Sequence, residues 1–454
     1  MSVLRVLIAN RGEIAVRIIR ACRALGIETV AAVSAADRES LAARLADRAV
    51  CIGPASAAES YLNCNAIITA AQGTASDTIH PGYGFLSESP ALAKACAEHH
   101  ITFVGPKPDQ IRLMGNKLQA RSLARQHGLP ILPGSEKVRS YEEAKAAAHR
   151  IGLPLMMKAA AGGGGRGMKV VMDLDHLQSM FSSASAEARA AFGDDTLYLE
   201  RFIPNARHIE VQVLGDRSGN VVHLGERDCS LQRRHQKLVE EAPAPNLCDD
   251  LRERIRQAAV TLARAVGYEN AGTVEFLLDQ DTGEFFFLEM NTRIQVEHPV
   301  TELITGIDIV QEQLRIARGE SLRFSQSDVQ IRGHAIECRI NAESPARGFR
   351  PSPGKITDWS PPQGPNIRLD THCFSGYTVP MFYDSMIAKL IVSGRGRSEA
   401  VSTMLRALEQ FKVEGVDTTI AFQRFVVGHQ KFVEGKVNTR LIEDLIGGMS
   451  ATGV

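Results

Sequence analysis

Thr273-Val274-Glu275-Phe276-Leu277-Leu278-Asp279-Gln280-Asp281-Thr282-Gly283-Glu284-Phe285-Phe286-Phe287-Leu288-Glu289-Met290-Asn291-Thr292-Arg293-Ile294-Gln295-Val296-Glu297 reads as two strands joined by a tight turn. From Leu288 onward polar and apolar residues alternate: Glu289, Asn291, Arg293, Gln295 and Glu297 against Leu288, Met290, Ile294 and Val296. In an extended chain successive side chains point to opposite faces, so one face is apolar and the other carries carboxylates, amides and a guanidinium. A hairpin centred near Thr282 puts Glu275 directly opposite Glu289. Like charges facing each other across a ladder destabilise it unless a hard cation takes oxygens from both. The pattern therefore predicts a divalent metal, Mg²⁺ or Mn²⁺. A one-residue slip in register would separate the two carboxylates. The competing reading is an edge strand with a solvated polar face, which gives no reason for Gln295-Val296-Glu297-His298-Pro299 to keep polar groups where the chain must turn.

The surrounding chain is long enough for two or three domains, at 454 residues with 44% hydrophobic and 23% charged content. Its 52 basic and 52 acidic residues cancel, which leaves no overall field to recruit nucleic acid or an acidic membrane. Cys22, Cys51, Cys64, Cys96, Cys229, Cys248, Cys338 and Cys373 show no metal-ligand spacing and read as reduced thiols of a cytoplasmic protein. No apolar run is long enough for a signal peptide or a bilayer span.

Upstream, strand 3–9, helix 13–25 and strand 29–34 form a βαβ unit, and the alternation continues to strand 102–104. A Rossmann-like parallel sheet with helices on both faces follows. The first turn, Ala9-Asn10-Arg11-Gly12-Glu13, lacks the glycines of a dinucleotide fingerprint, so this domain is read as structural. The loop His80 to Glu88 lies at a strand's C-terminal end, where open α/β sheets hold ligands.

Between strands 153–159 and 168–172 lies Ala160-Ala161-Gly162-Gly163-Gly164-Gly165-Arg166-Gly167. A strand follows the glycines, where a dinucleotide or P-loop needs a helix. What fits is a glycine hairpin whose backbone N–H groups close over phosphates. Farther on, Glu226 to Lys237 is dense in Arg, His and Lys and reads as an anion-contacting segment between strand 221–224 and helix 249–266. From about 331 a smaller mixed domain begins, with Arg339 on strand 331–341. The residues by themselves imply an ATP-using enzyme with a metal hairpin, a glycine flap and a basic anion pocket, suited to phosphoryl transfer onto an oxygen anion.

Ile8 to Ala15, His80 to Glu88, Gly162 to Met168, Glu226 to Lys237, Glu289 to Thr301 and Arg332 to Asn341 resemble, in order, the signature blocks of the biotin carboxylases, the biotin-dependent branch of the ATP-grasp ligases. The resemblance implies an α/β and α+β multidomain fold. It has a pre-ATP-grasp domain over 1–115, an ATP-grasp domain over 116–330 with a mobile lid over 131–204, and a C-terminal domain over 331–454. It implies that Lys117, Lys158, Gly164, Gly165, His208, Gln232 and His235 contact ATP, with Glu200 and the Ile203 backbone at the adenine. Glu275, Glu289 and Asn291 hold the metal; Lys237, Arg293, Gln295 and the Val296 backbone bind bicarbonate. Glu297 takes the bicarbonate proton, and Arg339 binds biotin and stabilises its ureido oxyanion.

One departure is Ala160-Ala161, where many relatives have a Ser and a fifth Gly, so altered flap closure is expected. No A-M-K-M turn is present: Met157-Lys158 and Met168-Lys169 flank the flap. Biotin is therefore expected on a separate carrier protein, with a carboxyltransferase as further partner and a homodimer as the family's assembly. Acetyl-CoA carboxylase is the first expectation for the whole complex, with pyruvate, propionyl-CoA and 2-oxoglutarate carboxylases as alternatives. Two other readings compete: an ATP-grasp ligase that activates an amino-acid carboxylate, and a nucleotide-binding subunit without turnover. Arg293-x-Gln295-x-Glu297 together with Arg339 argues against both.

Overall fold

The computed structural model describes residues 5–160 and 168–452. The expected contact residues Gly164 and Gly165, and the departure at Ala161, lie outside the described residues.

Five parallel strands form the N-terminal sheet, in the order Arg48–Cys51, Glu28–Val33, Arg5–Ile8, Thr78–His80, Thr102–Phe103. Arg5–Ile8 is central, and the chain winds first to one side of it and then to the other. That makes the gap between the ends of Arg5–Ile8 and Thr78–His80 a topological switch point, the place where such sheets leave a crevice. The turn at Gly12 and the loop after His80 both open into it. Gly12 has φ +67°, a conformation that a side chain would strain. Helix Gly12–Ala24 follows, with Ile14, Ile18, Ile19 and Cys22 sealed against the core.

A three-stranded antiparallel sheet, Lys169–Val171, Leu155–Ala159, Leu197–Arg201, is backed by helices Tyr141–Ile151 and Leu177–Phe192 through Leu155, Met157, Leu197 and Leu199. In Leu155–Ala159 the residues of the other parity, Met156 and Lys158, face the opposite side and line the main cavity.

The largest element is an eight-stranded antiparallel sheet, ordered Phe285–Asn291, Asn270–Asp279, Ala206–Gly215, Val221–Arg233, Gln236–Ala242, His334–Asn341, Met386–Gly394, Ile367–Thr371. It runs unbroken across residue 330 because Gln236–Ala242 pairs with His334–Asn341. The strand expected at 221–224 continues to Arg233, and the basic segment is largely strand rather than loop. Helix Asp249–Val266 covers the sheet with Ile255, Ala259, Val260 and Ala263. Phe276 packs edge-on against Phe285 and Phe287 at 5.6 and 6.5 Å, each ring contributing about 1.5–3 kcal/mol by leaving water. Among the described residues no helix is long and apolar enough to cross a membrane.

The hairpin pairs Glu275 with Glu289 as expected, by a route the alternation does not reveal. Near the turn, Leu278, Leu277 and Phe276 pair with Phe285, Phe286 and Phe287, a register that would set Glu275 opposite Leu288. A β-bulge between Phe276 and Glu275 makes Leu288 the extra residue and brings Glu289 across from Glu275. Leu288 consequently lines the cavity with Glu289 instead of lying on the apolar face.

Candidate active site

A cavity of about 1340 Å³ lies between the large sheet, the three-stranded unit and the N-terminal switch point. Asn10, Arg11, Gly12 and Glu13 line it, as do Tyr83 and Phe85. The N-terminal domain is thus part of the site, which corrects its reading as purely structural; the reason is the switch-point crevice, a property of strand order.

At one end are Lys117, Lys158, Glu200, Ile203, His208, Gln232 and His235. Glu200 is fully buried and pairs with Arg121 and, at 2.6 Å, with Lys158. Burial disfavours its charge, but Lys158 and Arg121 outweigh that and hold its carboxyl below the usual range. Ile203 packs with Leu132, Ala206, Leu277 and Phe286 in an apolar slot beside these charges. Arg234 and His235 form the two-residue turn between Val221–Arg233 and Gln236–Ala242, both with positive φ, +47° and +66°. Non-glycine residues in that conformation cost about 1–2 kcal/mol each, and such strain concentrates at functional sites. Both side chains line the cavity.

At the other end is a buried charge cluster. Lys237 Nζ donates to Glu210 Oε2 at 2.5 Å, Glu297 Oε1 at 2.7 Å and Glu275 Oε1 at 3.0 Å. Burial works against the ammonium, and the carboxylates of Glu210, Glu275 and Glu297 outweigh it, holding Lys237 well above its ordinary value. Burial alone would raise Glu275; Lys237 and His208 instead bring it down to about 2. His208 Nε2 lies 3.1 Å from Glu275 Oε2, and that carboxylate outweighs burial to raise the imidazole to about 9. Asn291 and Gln295 donate to Glu275 Oε1 at 2.7 and 3.2 Å.

Arg293 donates to Glu88 at 2.9 Å and to Gln295 and Asn291 at 2.9 and 3.2 Å. Arg339 bridges Glu240 at 2.6 Å and Glu297 Oε2 at 2.9 Å. Glu297 therefore has each oxygen on a different cation, and it is fully buried just behind the cavity wall, while Lys237, Arg293, Gln295, Val296 and Arg339 line the wall itself.

Glu289 is the least engaged carboxylate here, partly exposed, with Lys117 at 3.5 Å. Its free oxygens, opposite Glu275 and beside the Asn291 amide, form an all-oxygen donor set of the kind a hard cation takes. His208, Glu210 and Glu275 also converge closely enough for a metal, as do Glu210, Cys229 and Glu297. Lys237 already balances the carboxylates of both groups.

Alternation within the strand marks Glu210 as a neighbour of His208 on one face, a signal the sequence reading passed over. Glu88 ends the loop that strand order marks for ligands, while Glu240 and Lys389 had no local signal, since strands Gln236–Ala242, His334–Asn341 and Met386–Gly394 come together only by long-range pairing. Arg227, expected among anion contacts, is fully buried and donates to Glu210, Gln212, Thr273 and Thr301.

The chain matches the family described as "Biotin carboxylase, N-terminal domain" over residues 2–111, "Carbamoyl-phosphate synthase L chain, ATP binding domain" over 116–325 and "Biotin carboxylase C-terminal domain" over 337–444. It is 53% identical to a biotin carboxylase of Nostoc sp., with 97% of this chain and 99% of that one covered. It is 50% identical to a pyruvate carboxylase subunit from Methanothermobacter thermautotrophicus, over 98% of this chain and 91% of that one. Among solved structures, it superposes with a TM-score of 0.93 and 46% identity on the biotin carboxylase domain dimer of Hydrogenobacter thermophilus 2-oxoglutarate carboxylase, in complex with MgADP, ADP and bicarbonate, covering 98% of each chain. On fold, motifs and near-complete coverage alike, this chain belongs to the biotin carboxylase family of ATP-dependent ligases.

Proposed function

We propose that this chain uses ATP and bicarbonate to carboxylate biotin borne on a separate carrier protein. The observation that carries the reading is the linked trio of Lys237, Glu297 and Arg339, a buried carboxylate held between two cations that both face the cavity. Bicarbonate sits against Lys237, Arg293, Gln295 and the Val296 N–H. When bicarbonate displaces one cation from Glu297, that carboxylate takes its proton. The freed oxygen attacks the γ-phosphorus, the bond to ADP breaks, and carboxyphosphate forms. Carboxyphosphate breaks down to CO₂ and phosphate. The released phosphate takes the ureido N–H proton, and the ureido nitrogen attacks CO₂ to form the N–C bond while Arg339 neutralises the charge on the ureido oxygen.

At the nucleotide end, Lys117, Lys158, His208, Gln232 and His235 take the phosphates and ribose, and Glu200 and the Ile203 backbone take the adenine. Glu275, Glu289 and Asn291 would hold Mg²⁺, which supplies charge neutralisation on the transferred phosphoryl group. Residues 131–204 act as the lid within a three-part division at 115 and 330, and Gly164 and Gly165 contact ATP.

For the whole complex the reading is acetyl-CoA carboxylase, in the cytoplasm, with this chain as a homodimer beside a carrier and a carboxyltransferase. Agreement over nearly the full length with a relative named biotin carboxylase supports biotin carboxylation as the reaction of this chain. Co-purification of the carrier and its carboxyltransferase, followed by assay with each acyl-CoA and 2-oxo acid, decides the acceptor.

The reaction itself is tested by ADP release with Mg²⁺, with and without bicarbonate and free biotin. Release that requires bicarbonate and rises with biotin is the expected result. Release independent of both, or dependent on an amino acid, overturns the reading.

A further inference from the structure

The Val296 N–H is turned into the cavity by two buried side chains outside the anion site, and we propose that His298 and Lys389 are positioning residues for bicarbonate. The proposal rests on the bicarbonate reading above.

His298 is fully buried, and its Nδ1 lies 2.8 Å from the carbonyl oxygen of Gln295. A carbonyl only accepts, so Nδ1 carries the hydrogen. Nε2 has no hydrogen-bond partner, its nearest carboxylate oxygen, on Glu302, being 3.9 Å away. Burial, together with the charges of Lys389, Arg17 and Arg368, holds the imidazole well below its ordinary value and keeps it neutral. A neutral imidazole has one N–H, and here it is committed to Gln295.

In a trans peptide the C=O and the N–H point in opposite directions. Fixing the Gln295 carbonyl inward on His298 therefore aims the N–H of the same peptide, that of Val296, outward. Val296 is half-buried and lines the cavity, and its N–H has no partner among the described residues.

Lys389 fixes the next peptide. It comes from strand Met386–Gly394, is fully buried, and its Nζ donates to the Val296 carbonyl at 2.8 Å. The same ammonium lies 3.0 Å from Glu13 Oε1 and 3.9 Å from Asp370 Oδ2. Glu13 in turn accepts from the Tyr83 hydroxyl. Burial disfavours the ammonium, and Glu13, Glu337 and Asp370 outweigh it, so Lys389 stays charged. With both carbonyls flanking Val296 tied inward, its peptide cannot rotate without breaking a buried hydrogen bond. The N-terminal turn, the helix start at His298 and the C-terminal strand thus converge on the orientation of one donor.

The test compares His298→Phe, which keeps the ring's bulk and loses the N–H, with His298→Asn, which keeps a donor near the Nδ1 position. Steady-state kinetics with bicarbonate, MgADP affinity by calorimetry and thermal unfolding are measured for each. His298→Phe is expected to raise KM for bicarbonate about tenfold, the factor that goes with one lost hydrogen bond. MgADP affinity should stay within about twofold, because His298 and Lys389 bond neither to the nucleotide residues Lys117, Lys158, Glu200, His208, Gln232 and His235 nor to Glu275 and Glu289. His298→Asn should recover most of the bicarbonate affinity.

If His298→Phe does not fold, the charge-balanced double variant Glu13→Gln with Lys389→Met is the deciding protein, with the same expected rise in KM. A folded variant with unchanged KM for bicarbonate overturns the proposal. So does a parallel loss of bicarbonate affinity, MgADP affinity and thermal stability, which is what a purely structural role gives. A parent enzyme that ignores bicarbonate refutes the functional reading first, and that outcome is distinguishable from a responsive parent whose variants do not change.

Discussion

Lys237→Met removes one ammonium from among three buried carboxylates, and the distances give its cost. Nζ lies 2.5, 3.0 and 2.7 Å from Glu210, Glu275 and Glu297. At an effective dielectric of about 20, unit charges about 3 Å apart attract by on the order of 5 kcal/mol. Three such partners outweigh the several kcal/mol that burying an ammonium costs. Breaking a buried pair by deleting one side costs about 3–5 kcal/mol. Arg227, His208 and Arg339 still face the same carboxylates, which keeps the total near that range.

Thermal unfolding is the assay, with Lys237→Arg as the charge-keeping control. Since domains of about 150–250 residues lose about 2–4 °C per kcal/mol, Lys237→Met should melt on the order of 10 °C below the parent at about pH 8. The pH dependence gives an independent check. In the parent, the Glu275 carboxyl is held at about 2, below its ordinary 4.5. The stability it contributes is therefore fully present above pH about 4.5 and fades as the pH falls toward about 2. Without Lys237, burial pushes the Glu210 and Glu275 carboxyls up, and the folded state binds a proton that the unfolded chain does not. The variant then regains stability as pH is lowered from about 8 to about 6, by more than the gain that His208, held at about 9, already gives the parent over that range. A melting point within about 2 °C of the parent at about pH 8, or one that climbs from about pH 6 to about pH 8, refutes the reasoning.

Replacing Glu297 by Gln should reduce bicarbonate-dependent ADP release by about 10²–10⁴-fold with MgADP affinity unchanged in calorimetry; a variant as active as the parent removes Glu297 as the base. Glu289→Gln should weaken the Mg²⁺ dependence of nucleotide binding, read as a rise in the Mg²⁺ concentration needed for half-maximal turnover. Arg234→Asn combined with His235→Gly relieves two strained turn residues, so its melting point should rise, by about 1–2 kcal/mol of relief per residue, while nucleotide affinity falls. Maleimide applied to the native protein should label the exposed Cys51 and Cys248 first, with the buried Cys22, Cys96, Cys229, Cys338 and Cys373 protected until denaturant is added, as mass mapping of the labelled peptides will show.

Local periodicity carried the sequence reading where one element answers to one pattern. Helix Asp249–Val266 falls where its pattern predicts, and strand Leu155–Ala159 lies within the stretch 153–159 read as a strand. Basic residues misled where the pattern was charge alone. Arg227 looked like an anion contact, yet it sits inside the sheet among Glu210, Gln212, Thr273 and Thr301, because a guanidinium can be buried once its donors are satisfied.

The order of residues was enough to put Glu275 and Glu289 on the two arms of one hairpin and to match the motif blocks of a biotin carboxylase. Side-chain alternation and motif spacing are properties of neighbouring residues, so they survive without the rest of the fold. Long-range packing was needed for the bulge that makes Leu288 the extra residue, for the switch-point crevice that brings Asn10 to Glu13 into the cavity, and for the meeting of Lys237, Glu210, Glu275, Glu297 and Arg339. Those five residues come from four strands and a turn, and pairing order between distant strands is fixed by contacts far apart in the chain, not by the local alternation that marks each strand.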